Sequence, residues 1–137
     1  MMKRNFFVFD TNALISAFLV KNSTSDKAFR KAIERGALAI SEAAITEFLE
    51  VLWRPKFDAY FTPEERIEII KEVERYAVTF SASEHINAST DPDDNLFLEL
   101  ALAANADCII SGDPHLRTLH PFRGIPIYSA SDFLRLF

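Results

Sequence analysis

Short apolar runs alternate with helical segments along the whole chain, and this alternation limits the possible folds more than any other feature. Five runs predict strands, the third of them at a sheet edge: "NFFVFD", "LAIS", "VTF", "DCIISGD" and "IPIYS". Helical segments fill the stretches between them, and 137 residues match the commonest size of one domain. We therefore expect a single α/β domain, residues 1–137, with helices layered on a mainly parallel sheet.

Capping residues mark where helices begin and end. The expected N-caps all carry a side-chain oxygen: Thr24 or Ser25, Ser41, Thr62, Asp91 and Ser131. Glu65 completes a capping box with Thr62, and Pro63 takes the first helical position, which makes this helix start the clearest. Gly36 and Pro55 are expected to end the second and third helices.

Composition and charge exclude several classes of protein. Hydrophobic residues make up 49% of the chain, which suffices for a core and argues against disorder. Cys108 is the only cysteine, so one chain can form neither a disulfide nor a cysteine metal cluster. No run approaches the roughly 20 apolar residues of a membrane span, and a cytoplasmic protein is expected. The net charge of −5 opposes binding to nucleic acid through overall charge, although a bound metal would reverse the local sign.

Two predicted strands end in an aspartate, and this places two carboxylates at one edge of the sheet. Asp10 follows "FVF", and Asp113 follows "IISG". Because ligands bind outside the carboxyl ends of the strands in such sheets, both are candidate site residues. Glu47 joins them because helical spacing puts it on an inward stripe with Ala43, Ala44 and Val51, where an unpaired carboxylate is costly.

Three aspartates crowd the segment "STDPDDN" at residues 89–95. Asp91 is the natural cap of the helix that Pro92 opens, and Asp93 is expected to face solvent. Asp94 shares an inward stripe with Leu98, so capping and the helix dipole explain it least. Asp94 is therefore the preferred candidate, while Asp91 and Asp93 remain rivals for its role.

Four acids are thus predicted to converge on one site: Asp10, Glu47, Asp94 and Asp113. Carboxylate ligands without cysteine suit one or two Mg²⁺ or Mn²⁺ ions, which promote reactions of phosphoryl groups. Asn12 and Ser111 lie close by in the sequence as supporting groups, and Asp91 is a third. The alternative for each acid is purely structural, as a strand-end turn, a helix-surface acid, a helix cap or a loop turn.

The segments that carry these acids resemble motifs of the PIN-domain family of metal-dependent ribonucleases, in particular the single-domain toxins of prokaryotic toxin–antitoxin modules. The matching segments, in the order of the family, are "FVFDTNALISAF", "SEAAITEFLEVL" and "DPDDNLFLELALAANADCIISGDPHL". The resemblance implies a three-layer α/β/α fold with a parallel sheet of about five strands. It also implies that the four acids bind metal and act in catalysis, that Asn12 supports Asp10, and that Ser111 lies behind the metal-binding acids.

The function implied by the resemblance is metal-dependent endonucleolytic cleavage of single-stranded RNA. The implied partners are an RNA substrate, which is single-stranded or structured, a cognate antitoxin protein, and a second copy of the chain in a homodimer. Several cations either face solvent alone or contact RNA or an acidic antitoxin segment: Lys21, Lys27, Arg30, Lys31, Arg35, Arg54 and Lys56.

Two other functions fit parts of the pattern. "FVFDTN" and "SGDPHL" faintly resemble the haloacid dehalogenase phosphatases, which use an aspartyl nucleophile, but Asn12 stands where that family usually has a second acid. A receiver-like or PIN-like module that binds metal without cleaving RNA is the non-enzymatic alternative. A receiver usually has an acidic pair near its first strand, which this chain lacks, and the complete set of four acids argues against a loss of cleavage.

Overall fold

Five parallel strands form one sheet in the computed structural model, which describes residues 4–89 and 91–137. The strands are β1 (Asn5–Phe9), β2 (Gly36–Ile40), β3 (Ala77–Thr79), β4 (Cys108–Ile110) and β5 (Ile127–Tyr128). Their order across the sheet is β3-β2-β1-β4-β5, and each neighbouring pair is parallel. The predicted α/β fold with a parallel sheet is confirmed, as is the edge position of β3.

Helices cover both faces of the sheet. In the described residues they are α1 (Thr11–Leu19), α2 (Thr24–Arg35), α3 (Glu42–Leu52), α4 (Pro63–Tyr76), α5 (Pro92–Ala104), α6 (Pro114–Arg117) and α7 (Ala130–Leu136). One core cluster packs Phe7 and Phe9 of β1 against α1, α2, α4 and α7, and a second packs Val8 against α5. Alternate residues of β1 thus face opposite helix layers, which gives the three-layer α/β/α arrangement.

Three helix caps lie where the sequence predicts them. Ser41 caps α3, Asp91 caps α5 and Thr62 caps α4. The capping box of α4 is complete, because Glu65 N donates to Thr62 Oγ1 at 3.0 Å and Thr62 N donates to Glu65 Oε1 at 2.9 Å. Thr62 and Asp91 each stand directly before a proline, and Ser41 is the polar residue between an apolar strand and helix α3, so the sequence marks these three caps clearly.

The predicted caps of α2 and α7 are wrong by one or two residues. Ser23 caps α2 in place of Thr24 or Ser25, and Ser129 caps α7 in place of Ser131. The capping oxygen comes from the residue whose own backbone is still extended, and Ser23 has φ −70° and ψ 167°. Neighbouring serine and threonine residues all carry a hydroxyl oxygen that could cap the helix, so the local sequence does not determine which of them is the N-cap.

Gly36 ends α2, as predicted, and also opens β2. A Cβ at this position would lie 2.1 Å from the backbone oxygen of Asn5 on the neighbouring strand β1. The φ of Gly36 is −177°, which is an extended conformation that any residue can adopt. Glycine is required here because β1 passes too close to leave room for a Cβ. At the end of α3 the helix stops at Leu52, and a 3-10 turn follows at Pro55–Phe57.

The order of the strands reverses at β1. The chain runs outward from β1 to β2 and β3, and it then returns to place β4 on the other side of β1. In an open parallel sheet the connections on either side of such a reversal run in opposite directions and leave a crevice at the carboxyl ends of the two strands. The fold therefore offers a ligand site between the ends of β1 and β4.

The single cysteine lies in the core of the sheet. Cys108 lies buried in β4 as a small apolar residue, and burial raises its pKa to about 12. Within residues 4–89 and 91–137, no helix is long and apolar enough to cross a membrane.

Candidate functional site

A cleft of about 570 Å³ opens at the carboxyl edge of the sheet. Six carboxylate side chains line it: Asp10, Glu47, Asp91, Asp93, Asp94 and Asp113. They come from the residue after β1, from α3, from the start of α5 and from the loop after β4. The structure therefore brings together all four sequence-predicted acids and both neighbouring aspartates of "DPDDN".

Asp10 lies where β1 ends and α1 begins. Its backbone N–H donates to Ile110 O of β4 at 3.1 Å, and its Oδ1 accepts from Ala13 N at 2.8 Å as the N-cap of α1. The Ser111 hydroxyl donates to Oδ2. Asp10 is only 6% exposed, and this burial raises the pKa of its carboxyl, although the hydrogen bonds from Ser111 and Ala13 partly offset the rise.

Ser111 links the two strand-end aspartates. Its hydroxyl donates to Asp10 and accepts from the backbone N–H of Asp113 at 3.0 Å. Ser111 is fully buried, and its own N–H donates to Tyr128 O of β5 at 2.8 Å. Because one hydroxyl serves both partners, it couples the orientation of the Asp10 carboxylate to the loop that carries Asp113.

Asp91, Asp94 and Asp113 form a tight acidic group. Each offers a carboxylate oxygen, and these oxygens lie within 4.8 Å of one another. Asp94 is 7% exposed, whereas Asp113 is half-buried and Asp91 is exposed. Burial raises the pKa of Asp94 to about 6, and the negative charges of Asp113 and Asp91 add to the rise. A divalent cation among the three carboxylates would remove their mutual repulsion.

The start of α5 orients the three aspartates of "DPDDN" differently. Asp91 caps the helix by accepting from Asp93 N at 3.0 Å, and Asp93 is exposed, as predicted. Asp94 is buried, also as predicted, and its Oδ2 accepts from Ser89 Oγ at 3.1 Å. Asn95 Oδ1 accepts from Ser89 N at 2.9 Å. Ser89 is therefore hydrogen-bonded to both Asp94 and Asn95, which connects the loop before α5 to the first turn of the helix.

Glu47 reaches the cleft from α3 and is half-buried. Its Oε2 accepts from Thr11 Oγ1 at 2.8 Å, which connects α3 to the start of α1. Burial raises the pKa of Glu47, while the Thr11 hydrogen bond lowers it and the Asp93 charge raises it further. Ala44 and Val51 of the predicted stripe are buried, whereas Ala43 is exposed, so the inward stripe is narrower than predicted.

Sequence reasoning does not find three hydrogen-bonding residues of the site: Thr11, Ser89 and Asn95. Thr11 has a signal, because it directly follows Asp10 at the strand-to-helix turn. Ser89 and Asn95 have none, because their partners depend on the folded loop. Asn12, predicted to support Asp10, lines the cleft but is exposed, and in the described ranges its side chain makes no hydrogen bond to Asp10.

The donor set fits a hard divalent cation. Asp91, Asp94 and Asp113 offer only carboxylate oxygens, which are the ligands that Mg²⁺ and Mn²⁺ prefer. Asp10 and Glu47 add further oxygens from β1 and α3 to the same cleft. The residues present are therefore chemically suited to one or two such ions.

Comparison with known families decides what kind of domain this is. Residues 7–115 match the profile of the PIN domain family. The chain belongs to the PIN domain family. PIN domains are generally metal-dependent nucleases, and the acidic cleft of this PIN domain is compatible with metal binding. Among curated protein sequences, none matches the chain significantly.

Solved structures share the fold of this PIN domain. A crystal structure of VapBC2 from Rickettsia felis, bound to a DNA fragment from the promoter, contains a similar chain with a TM-score of 0.62 and 11% identity. That likeness covers 90% of this chain and 98% of the other. PAE2754 from Pyrobaculum aerophilum has a TM-score of 0.61 and 14% identity, over 97% of this chain and 89% of the other. At these identities the similarity shows the fold alone.

Proposed function

We propose that this PIN domain is an endoribonuclease that hydrolyses phosphodiester bonds of single-stranded RNA with the help of Mg²⁺ or Mn²⁺. The observation that carries the proposal is the acidic group of Asp91, Asp94 and Asp113, with carboxylate oxygens within 4.8 Å of one another in the cleft that Asp10 also lines. Such a group is costly without a cation, and phosphodiester hydrolysis is a reaction that divalent cations promote. Membership of the PIN domain family supports the same chemistry.

Asp10, Asp94 and Asp113 would hold one or two ions, with Asp91 and Glu47 as further oxygen donors. When bound, a divalent ion supplies the charge that polarises a phosphoryl oxygen and offsets the negative charge of the acids and the substrate. This compensation matters because the chain carries a net charge of −5 and RNA is a polyanion.

The residues of the chain position the reacting groups. Ser111 fixes the Asp10 carboxylate, and Thr11 fixes Glu47 by donating to Oε2, which leaves Oε1 as the Glu47 oxygen available to an ion or to water. The two hydroxyls therefore hold these acids in the positions in which they would bind the ion.

We further propose that the chain is the toxin of a toxin–antitoxin pair, that it binds a cognate antitoxin and that it forms a homodimer. Support comes from the fold shared with VapBC2 of Rickettsia felis, which was crystallised with DNA from the promoter. Growth arrest on induction in a bacterial host, relieved by Asp10→Asn, tests the toxin role. Light scattering of the purified chain tests the dimer.

Cleavage of a labelled single-stranded RNA in Mn²⁺, in Mg²⁺ and in EDTA tests the nuclease. We expect cleavage with either ion and none in EDTA, because the acids would otherwise repel the substrate. Asp10→Asn and Asp94→Asn should each lower the rate at least about 100-fold, since each removes a negative charge that holds the ion. Asn keeps the shape of the side chain, so circular dichroism should show an unchanged fold.

Asp93→Asn is the matched control, because Asp93 is adjacent to Asp94 in sequence but exposed and outside the acidic group. Its rate should stay within about threefold of the wild type. Cleavage that persists in EDTA, or full activity of Asp94→Asn, would contradict the proposal. Metal binding without cleavage of any RNA would favour the alternative of a PIN-like binding module.

A further inference from the structure

Arg54 is the cation that lines the acidic cleft within the described residues, where it stands among six carboxylates. It follows α3 at the C-terminal side, between Trp53 and the 3-10 turn that starts at Pro55. A second cleft of about 680 Å³ adjoins the first, and Arg54, Glu47 and Asp93 line both. The arginine therefore lies at the junction of the two clefts.

The guanidinium of Arg54 is not engaged by a strong partner in the described part of the chain. Its side chain is 50% exposed, and its ion pair with Glu50 has an N···O distance of 4.0 Å, which is too long for a hydrogen bond. A guanidinium has five N–H donors in a planar fork that suits phosphate. The positive charge of Arg54 also lowers the pKa of Glu47, but in the described part of the chain no side-chain hydrogen bond of Arg54 has to break before the guanidinium can bind an anion.

The backbone at Arg54 is held firmly, although its side chain makes only the long ion pair with Glu50. Arg66 of α4 is 3% exposed, and its guanidinium donates to Arg54 O at 3.3 Å, to Leu52 O at 2.9 Å and to Phe61 O at 3.1 Å. A further hydrogen bond joins Arg66 to Asp58 Oδ1 at 2.9 Å. These hydrogen bonds hold the backbone of Arg54 in place. Because the backbone is already ordered, less conformational entropy is lost when the side chain binds a ligand.

We propose that Arg54 binds a phosphate next to the scissile one, so that the site selects RNA strands with several phosphates over substrates with a single phosphodiester. This inference rests on the proposed nuclease function. Metal ions held by the acidic group would neutralise the scissile phosphate, but a flanking phosphate in the same cleft meets carboxylates unless a cation faces it. Arg54 supplies that cation at the junction where the neighbouring nucleotide would lie.

The structural alternative is that Arg54 only stabilises the C-terminal end of α3, where a positive charge interacts favourably with the helix dipole. The two roles make different predictions. Loss of a dipole contact lowers the melting temperature and leaves substrate binding unchanged, whereas loss of a phosphate contact raises KM and reduces the dependence of binding on salt.

The test compares Arg54→Ala and Arg54→Lys with Arg75→Ala, which removes the same charge from an exposed position on α4. KM and kcat are measured in Mn²⁺ with an eight-nucleotide single-stranded RNA and with a dinucleoside monophosphate. Fluorescence anisotropy of the labelled RNA gives Kd as a function of salt for each variant in an Asp10→Asn background, in which cleavage is expected to be slow. Thermal unfolding of each variant shows whether the fold is intact.

We expect Arg54→Ala to raise KM for the octanucleotide about tenfold with kcat nearly unchanged, and to reduce the salt slope of log Kd by about 0.7. Arg54→Lys should recover part of the loss, because lysine keeps the charge but not the fork. The ratio of KM values should be smaller with the dinucleoside monophosphate, which has no flanking phosphate. Arg75→Ala should behave like the wild type.

The outcomes separate this inference from the proposed function. If the wild type cleaves the octanucleotide and Arg54→Ala has the same KM and salt slope, the inference is wrong and the nuclease stands. If the wild type binds RNA without cleaving it, the nuclease is wrong, and the anisotropy of Arg54→Ala alone supports or overturns the inference. A wild type that neither binds nor cleaves single-stranded RNA overturns both.

Discussion

A hydroxyl group donates to each of three site carboxylates, although the hydroxyls come from different parts of the chain. The pairs are Ser111 with Asp10, Thr11 with Glu47, and Ser89 with Asp94. A hydroxyl orients a carboxylate through a neutral hydrogen bond, whereas a lysine or arginine in the same place would cancel the charge that a cation needs. The acids are therefore held in position without losing their ability to bind a metal ion.

Asp94 should make the metal-free protein less stable at neutral pH than at pH 5. Its pKa is raised from 3.8 to about 6 in the folded protein, so between these values the folded chain binds more protons than the unfolded chain. The free energy of unfolding therefore falls as the pH rises through this window, and the loss is complete above it. Asp94→Asn removes the charge, and we expect its midpoint of thermal unfolding in EDTA at pH 7.5 to be about 2–5 °C above that of the wild type.

Asp93→Asn is again the control, because it removes one exposed negative charge from the same helix turn. Circular dichroism at pH 5 and pH 7.5 in EDTA provides the unfolding midpoints. The gain from Asp94→Asn should shrink at pH 5, where the wild-type carboxyl is already mostly protonated. Equal gains from Asp93→Asn and Asp94→Asn, or none from Asp94→Asn at pH 7.5, would contradict the raised pKa.

Local patterns predicted where the acids lie but not what holds them. Asp10 is predictable because the apolar run of β1 stops there, and Asp94 because it shares a helical stripe with the fully buried Leu98. The contact between Thr11 and Glu47 joins residues 36 positions apart and depends on how α1 packs against α3. No pattern within one element could predict that contact.

At the scale of elements, Arg66 fixes the segment between α3 and α4. Its guanidinium donates to carbonyl oxygens at Leu52, Arg54 and Phe61, and Leu52 is the last residue of α3. Carbonyls at a helix C-terminus have no partner within the helix, so an arginine from a neighbouring helix satisfies what the backbone cannot. Arg66 therefore acts as a side-chain cap delivered from another element.

Arg66→Met should destabilise the protein strongly. Methionine retains most of the apolar stem but removes every donor, which leaves buried carbonyl oxygens without partners. We expect the free energy of unfolding to fall by about 3–5 kcal/mol. Urea unfolding followed by tryptophan fluorescence measures the change, since Trp53 lies 5.2 Å from the Arg66 guanidinium.

Arg75→Met on the same helix is the matched control, because its side chain is 67% exposed and its ion pair with Glu72 has an N···O distance of 3.9 Å. It should change the free energy of unfolding by less than about 0.5 kcal/mol. Similar losses from the two substitutions would show that the buried hydrogen bonds of Arg66 are not what stabilises this segment.

Elements with strong local signals were predictable, and short ones were not. The capping box of α4 follows from Thr62 and Glu65 alone. In contrast, α6 has four residues, which are too few to show a repeating helical pattern in the sequence. Its cap, Asp113, is predicted only as an acid at the end of a strand. The order of the five strands is a tertiary property, so the alternation of segments predicts a parallel sheet but not which strands are neighbours.

At the scale of the whole molecule, the site lies where the strand order reverses. The ends of β1 and β4 are neighbours in the sheet, with Phe9 paired to Ile110, although Asp10 and Ser111, which follow the two strands, are 101 positions apart in the chain. The start of α5 adds Asp91 and Asp94 to the same edge. The acidic group therefore forms only when the strands β1 and β4 and the helix α5 are all in place. Folding is what brings these repelling carboxylates together.

Metal binding should consequently stabilise the whole fold. An ion that binds the folded protein alone stabilises it by about 2.7 kcal/mol at 100 times its Kd. We expect saturating Mn²⁺ to raise the unfolding midpoint by about 5–10 °C at pH 7.5, and by less at pH 5, where protons compete for Asp94. Asp91→Asn should reduce this gain because it removes one carboxylate of the acidic group, while the cap of α5 is kept because asparagine caps a helix as well as aspartate does. Asp93→Asn should retain the gain. Differential scanning calorimetry across Mn²⁺ concentrations provides the comparison, and equal stabilisation of Asp91→Asn and Asp93→Asn would remove Asp91 from the metal site.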